Sequence, residues 1–181
     1  MTSSIERTRL ARIVEWSVAG ILTLVIVFAH VRVLQHAGPL RRDEISSLRV
    51  ATMPTFSAFW AALIYDPFPA LFFALLHFWE WSGMGGSDQN LRYLGFFVGI
   101  GITVALWITG WSIKKAPPVL ALVLFGLSPV ALVWGDSLRA YGFGCVWNIL
   151  AIGLIWKLVC ERPRTSDILF ATLAALLSVR G

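Results

Sequence analysis

The densest group of reactive side chains in the sequence is Arg41-Arg42-Asp43-Glu44. Adjacent carboxylates can take a proton from an incoming hydroxyl or hold a divalent cation, and the pattern leaves any cofactor open. The same residues also suit a solvated turn and helix start, where acidic groups are favourable. Asp66 follows in Tyr65-Asp66-Pro67-Phe68-Pro69, where two prolines stiffen the backbone and hold the carboxylate in place.

A third group is Ser128-Pro129 with Trp134-Gly135-Asp136-Ser137-Leu138-Arg139-Ala140-Tyr141. A guanidinium can hold phosphate oxygens through two parallel hydrogen bonds, so Arg139 beside Tyr141 suits an anionic ligand. The alternatives are an Arg139–Asp136 pair, or an arginine snorkelling to ordinary headgroups. His30, His36 and His77 have no metal-ligand spacing, and no metal residues are assigned. Gly83 to Gly86 lacks the strand and helix of a phosphate loop and reads as a turn. Cys145 and Cys160 lie about four helical turns apart, too far to bridge.

The elements that must position these groups are hydrophobic. Of 181 residues, 57% are hydrophobic and 14% charged, against roughly 45–50% and about 25% in soluble domains. Crossing a hydrocarbon core takes about 20 apolar residues, and four stretches qualify: Ile13 to Leu34, Tyr93 to Ile113, Ala116 to Trp134 and Ala140 to Cys160. Arg7, Arg9 and Arg12 precede the first. Its length, its own Glu15 and the absence of a small-residue cleavage site favour an anchor helix over a signal peptide. A net charge of +5 comes from basic residues at span ends, which suits membrane topology and lipid contact rather than nucleic acid.

Whether Phe68 to Trp81 crosses decides where everything after it points. Its 14 residues give about 21 Å of helix, short of a span, and it carries His77, Glu80 and two tryptophans. Lying flat, it makes Gln35 to Arg92 one outer region, with a cytoplasmic N-terminus. Lys114, Lys115, Lys157, Arg162 and Arg164 then fall inside, as the positive-inside rule asks. Asp43, Glu44, Asp66, Glu80, Asp88 and Asp136 fall outside. If the segment crosses, Lys114, Lys115 and the Glu161-Arg162-Pro163-Arg164 turn face out; Arg41, Arg42 and Arg49 are outside either way. Ile168 to Val179 reads as a partial fifth span, so the chain is expected to be one all-α membrane domain, the N-terminal fragment of a longer protein.

Read in order, these motifs resemble the membrane glycosyltransferases of the C-type fold that use lipid-phosphate-linked sugars. That group includes protein O-mannosyltransferases and bacterial transferases that decorate lipopolysaccharide. Asp43-Glu44-Ile45-Ser46-Ser47-Leu48 is similar to the family's Asp-Glu motif after the first span. Asp66-Pro67-Phe68-Pro69-Ala70-Leu71-Phe72-Phe73 looks like its Asp-x-His-Pro-Pro-Leu-Tyr-Tyr segment, and Asn90-Leu91-Arg92-Tyr93-Leu94 like its Leu-Arg-Leu-Pro entry to the next span. Ser128-Pro129 with Ser137-Leu138-Arg139-Ala140-Tyr141 looks like its Ser-Pro and Glu-Ala-Arg-x-Tyr pattern.

The resemblance implies an inverting transferase of the bacterial inner membrane, acting on a polyprenyl-phosphate sugar and a lipid, glycan or protein acceptor. It implies Asp43 as catalytic carboxylate with Glu44 beside it, Arg139 and Tyr141 on the lipid phosphate, and Asp66 and Arg92 in support. Phe68, Ala70 and Ser137 depart from the family's His, second Pro and acidic residue, so no role of that His carries over. The competing class is a non-catalytic relic or scaffold. A transporter is disfavoured because the few polar groups within spans, Glu15, Arg32, Asn148 and Lys157, lie mostly near span ends.

Overall fold

The computed structural model describes residues 2–63, 70–160 and 164–178, and within them the chain is all-α. Among the described residues nine α-helices follow in order: α1 (Thr2–His36), α2 (Arg42–Ala51), α3 (Phe56–Leu63), α4 (Ala70–Trp79), α5 (Asp88–Lys114), α6 (Val119–Ala121), α7 (Pro129–Gly135), α8 (Ala140–Cys160) and α9 (Thr165–Ser178). Three of them, α1, α5 and α8, are long and apolar enough to cross a membrane. Large apolar side chains such as Leu24, Phe28, Phe97, Ile152 and Val159 stay exposed along them, the arrangement a lipid solvent requires.

The third expected span, Ala116 to Trp134, is a broken one. α6 runs into a π-helical turn (Leu122–Gly126), and the helix restarts only at Pro129. Proline has no N–H to donate and its ring excludes a preceding helical turn. Ser128 is accordingly extended, and its hydroxyl accepts from Ala131 N as the cap of α7. The two pieces still run the length of the bundle. Pro118 lies against Gly110 near the end of α5, Gly126 meets Ile26 of α1, and Asp136 reaches His30.

Two apolar clusters hold the bundle. Ala19, Ile26, Leu106 and Leu122 join α1, α5 and the π turn at mid-depth. Leu40, Ala51, Phe72, Phe73, Leu76, Leu91, Leu94 and Leu138 form the second cluster, which lies over the start of α5. The short apolar segment packs into this second cluster. α4 has only 10 residues, about 15 Å of helix. It lays Phe72, Phe73 and Leu76 onto the start of α5, while Phe78 and Trp81 face outward. His77 Nδ1 donates to the Ala51 carbonyl at 2.7 Å and Trp79 Nε1 to that of Asn90 at 3.1 Å, tying α4 to α2 and α5.

The helices therefore place charge by end. Arg9, Arg12, Lys114, Lys115 and Lys157 gather at one end, where Trp16 meets Trp111. Asp43, Glu44, Asp88 and Asp136 gather at the other, where the backbone N–H of Leu40 donates to Asp88 and that of Leu138 to Glu44. α9 packs on α8, pinned by Lys157 Nζ on Asp167 Oδ1 at 2.6 Å.

Candidate functional site

The carboxylate pair divides into two unlike groups. Glu44 is 2% exposed and its oxygens accept four hydrogen bonds: Arg92 Nη1 (3.1 Å) and Leu138 N (2.9 Å) on Oε1, Arg92 Nη2 (3.0 Å) and Arg41 N (2.7 Å) on Oε2. The bond from Arg41 N is half of a capping box, with Glu44 at the third position of α2. Two fork-to-fork bonds with Arg92 make the strongest geometry an ion pair offers.

Arg92 is itself buried and donates twice more, from Nε to the Gly38 carbonyl (3.0 Å) and from Nη2 to that of Pro39 (2.8 Å). A single buried pair thus joins the 38–44 turn, α5 and the turn before α8. All four hydrogen-bond positions of the Glu44 carboxylate are thus taken by N–H donors of the chain itself. Its commitment also bears on a divalent cation: the adjacent carboxylates do not fit a shared metal, because every Glu44 oxygen already faces N–H donors. Among the described residues no three His, Cys, Asp or Glu side chains converge on one point.

Asp43 is exposed, whereas Glu44 and Ser47 of the same helix are buried. Arg139 Nη1 donates to its backbone carbonyl at 3.0 Å across 96 residues, so the two expected site residues share a face. Arg139 Cζ lies 5.5 Å from the centre of the Tyr141 ring, which meets Trp134 edge-on at 5.7 Å. Arg139, Tyr141 and Asp43 thus come together, while Arg92 lies beneath them with Glu44. Asp66 lies outside the described residues.

A pair that sequence reasoning missed lies beside this face. His30, near the end of α1, sits 2.7 Å from Asp136 Oδ1, both side chains being buried. Asp136 is therefore paired with His30, and the alternative of an Arg139–Asp136 pair does not occur. Among the described residues Asp136 Oδ2 has no hydrogen-bond partner. Burial pushes its carboxyl above the ordinary carboxylate range, a shift that the bond and charge of His30 oppose. The turn reaches this depth because α5 presents Gly95 and Gly99 one turn apart. A Cβ at Gly95 would strike the Asp136 carbonyl, and one at Gly99 would strike Asp136 Oδ1 and lie 2.8 Å from the His30 ring. The signal in the sequence was that pair of glycines four apart.

Behind the Arg92–Glu44 pair opens a cleft of about 410 Å³, lined by Arg32, His36, Arg41, Arg92, Asp136 and Ser137 among others. Asp43, Arg139 and Tyr141 do not line it. A separate slot of about 220 Å³ lies between α7 and α8, with Trp134, Tyr141 and Cys145 on its walls and little polar surface. No protein-family model matches the chain, and neither curated proteins nor solved structures give a significant match.

Proposed function

We propose that this chain is the membrane-embedded core of a glycosyltransferase that moves a sugar from a polyprenyl-phosphate donor to a lipid, glycan or protein hydroxyl. The observation that carries the reading is the Arg139–Asp43 contact. Through the Asp43 backbone carbonyl it joins a guanidinium to the residue that carries an exposed carboxylate, 96 residues away. A donor whose tail stays in the bilayer presents its phosphate at the end of the spans, which is why such an enzyme must be embedded.

In this reaction the acceptor oxygen attacks the anomeric carbon while its proton passes to the Asp43 carboxylate. The bond from that carbon to the phosphate oxygen breaks, and the phosphate leaves with the electron pair. Arg139, held over the Tyr141 ring, meets the charge growing on the departing phosphate. Glu44 and Arg92 act by fixing the turn that carries Asp43. The apolar slot beside Tyr141 suits the first isoprene units of the tail.

The test is transfer from a radiolabelled polyprenyl-phosphate hexose in proteoliposomes containing the full-length protein. Asp43→Asn is expected to abolish transfer with the helix content and thermal midpoint unchanged. Full activity in that variant refutes the assignment of Asp43.

A further inference from the structure

The cleft behind the Arg92–Glu44 pair has an uncompensated positive charge. Its groups account for themselves one by one. Arg92 is neutralised by Glu44 through two bonds. Asp136 is held by His30 at 2.7 Å. His36 Nδ1 donates to the Arg32 carbonyl at 2.9 Å. Arg32 and Arg41 remain, and among the described residues neither meets a carboxylate. Arg32 makes one long bond, 3.5 Å, to Gln35, and Arg41 lies 5.8 Å over the Trp134 ring.

Their position is as informative as their charge. Arg32 lies in the last turns of α1 and Arg41 at the start of α2, so the two enter one concavity from either side of the 37–40 turn. Both side chains are exposed, so neither is sealed off from a ligand arriving from outside. A cleft of about 410 Å³ falls in the size range of small-ligand sites, and Phe96 and Val133 give it apolar walls toward the spans.

We infer that this cleft is a second anion site, binding a phosphate group through Arg32 and Arg41, separate from the Asp43–Arg139 face. Two arginines lining one cleft offer more donors to the oxygens of a phosphate monoester than a single one does. The source is either the headgroup of a bilayer phospholipid or free phosphate. The inference does not depend on a transfer reaction.

The experiment titrates the detergent-solubilised full-length chain with dioctanoyl phosphatidic acid, with dioctanoyl phosphatidylcholine and with inorganic phosphate, following binding by calorimetry. Phosphatidic acid is expected to bind and phosphatidylcholine to bind far more weakly. Arg32→Gln with Arg41→Gln should weaken phosphatidic acid by about tenfold or more, the loss of charge-assisted hydrogen bonds, and the double lysine variant should restore part of it. Arg9→Gln with Arg12→Gln, at the other end of the bundle, should leave binding unchanged. Competition by equimolar inorganic phosphate assigns the site to the free anion, and its absence assigns it to a bilayer lipid. Unchanged binding in the double glutamine variant, with wild-type helix content, overturns the inference, as does equal binding of phosphatidylcholine.

Discussion

Replacing Arg92 with alanine removes four donated hydrogen bonds at once, two to Glu44 and one each to the carbonyls of Gly38 and Pro39. Glu44 keeps only the backbone donors of Arg41 and Leu138 and remains as an unpaired charge at 2% exposure. Removing one member of a buried ion pair costs about 3–5 kcal/mol, because the partner's desolvation is no longer compensated. For a chain of this size each kcal/mol moves a thermal midpoint by roughly 2–4 °C, so the expected fall is roughly 6–20 °C. The assay is thermal unfolding by circular dichroism in a single detergent, with exposed Arg49→Ala as the control. Changing Glu44 and Arg92 together to methionine should recover much of the loss, since an apolar pair leaves no orphaned charge. If Arg92→Ala unfolds within about 2 °C of Arg49→Ala, the pair contributes no more than a surface contact, and its role as the frame of the site is wrong.

Other changes probe the remaining contacts. Gly99→Ala should destabilise by about 1–3 kcal/mol, the usual cost of overpacking, because the new methyl meets both Asp136 and His30; the same unfolding measurement reads it. Asp136, with a carboxyl raised by burial, should titrate above the ordinary aspartate range. Its protonated form is favoured by folding, so its contribution is fully present below the unfolded value and is lost as pH rises through the folded one. An infrared carboxylic-acid band that persists above that range and vanishes in Asp136→Asn checks this. Asp167 is shifted the other way by Lys157 and by the Arg164 backbone. The hold of α9 on α8 should therefore persist at neutral pH and weaken only below the ordinary aspartate value, seen as proteolysis near Thr165 that Asp167→Asn shows at every pH. Ser128→Ala removes the cap of α7 and should cost about 1 kcal/mol.

The long apolar helices were legible because their signal is local: hydrophobic runs of sufficient length at α1, α5 and α8 need no tertiary partner to be read. The shortness of α4 was legible for the same reason, and it is not among the helices long enough to span. The break at Ser128 was present in the sequence as a Ser-Pro pair, but hydropathy averages across it, and the proline's missing N–H decides the local backbone. The division of Asp43 from Glu44 was not legible. Both are acidic, adjacent and at a helix start, and what separates them is Arg92, 48 residues on. His30–Asp136 is harder still, for its partners are 106 residues apart and neither residue type is unusual near a membrane boundary.

The Arg92–Glu44 pair also determines how the two candidate sites relate. Glu44 Oε1 accepts from Leu138 N, one residue before Arg139, while its backbone follows directly on Asp43. Arg92, on the other side, lines the cleft that Arg32 and Arg41 enter. One ion pair therefore sets the register of the Asp43–Arg139 face and forms the wall of the anion cleft. Loss of Arg92 should impair transfer and phosphate binding together. Asp43→Asn should remove transfer and leave phosphate binding intact, because Asp43 does not line the cleft. The double Arg32, Arg41 variant should weaken binding while the Arg139–Asp43 contact persists. Only a shared frame with two separate surfaces gives that pattern; a single merged site would lose both activities in all three variants.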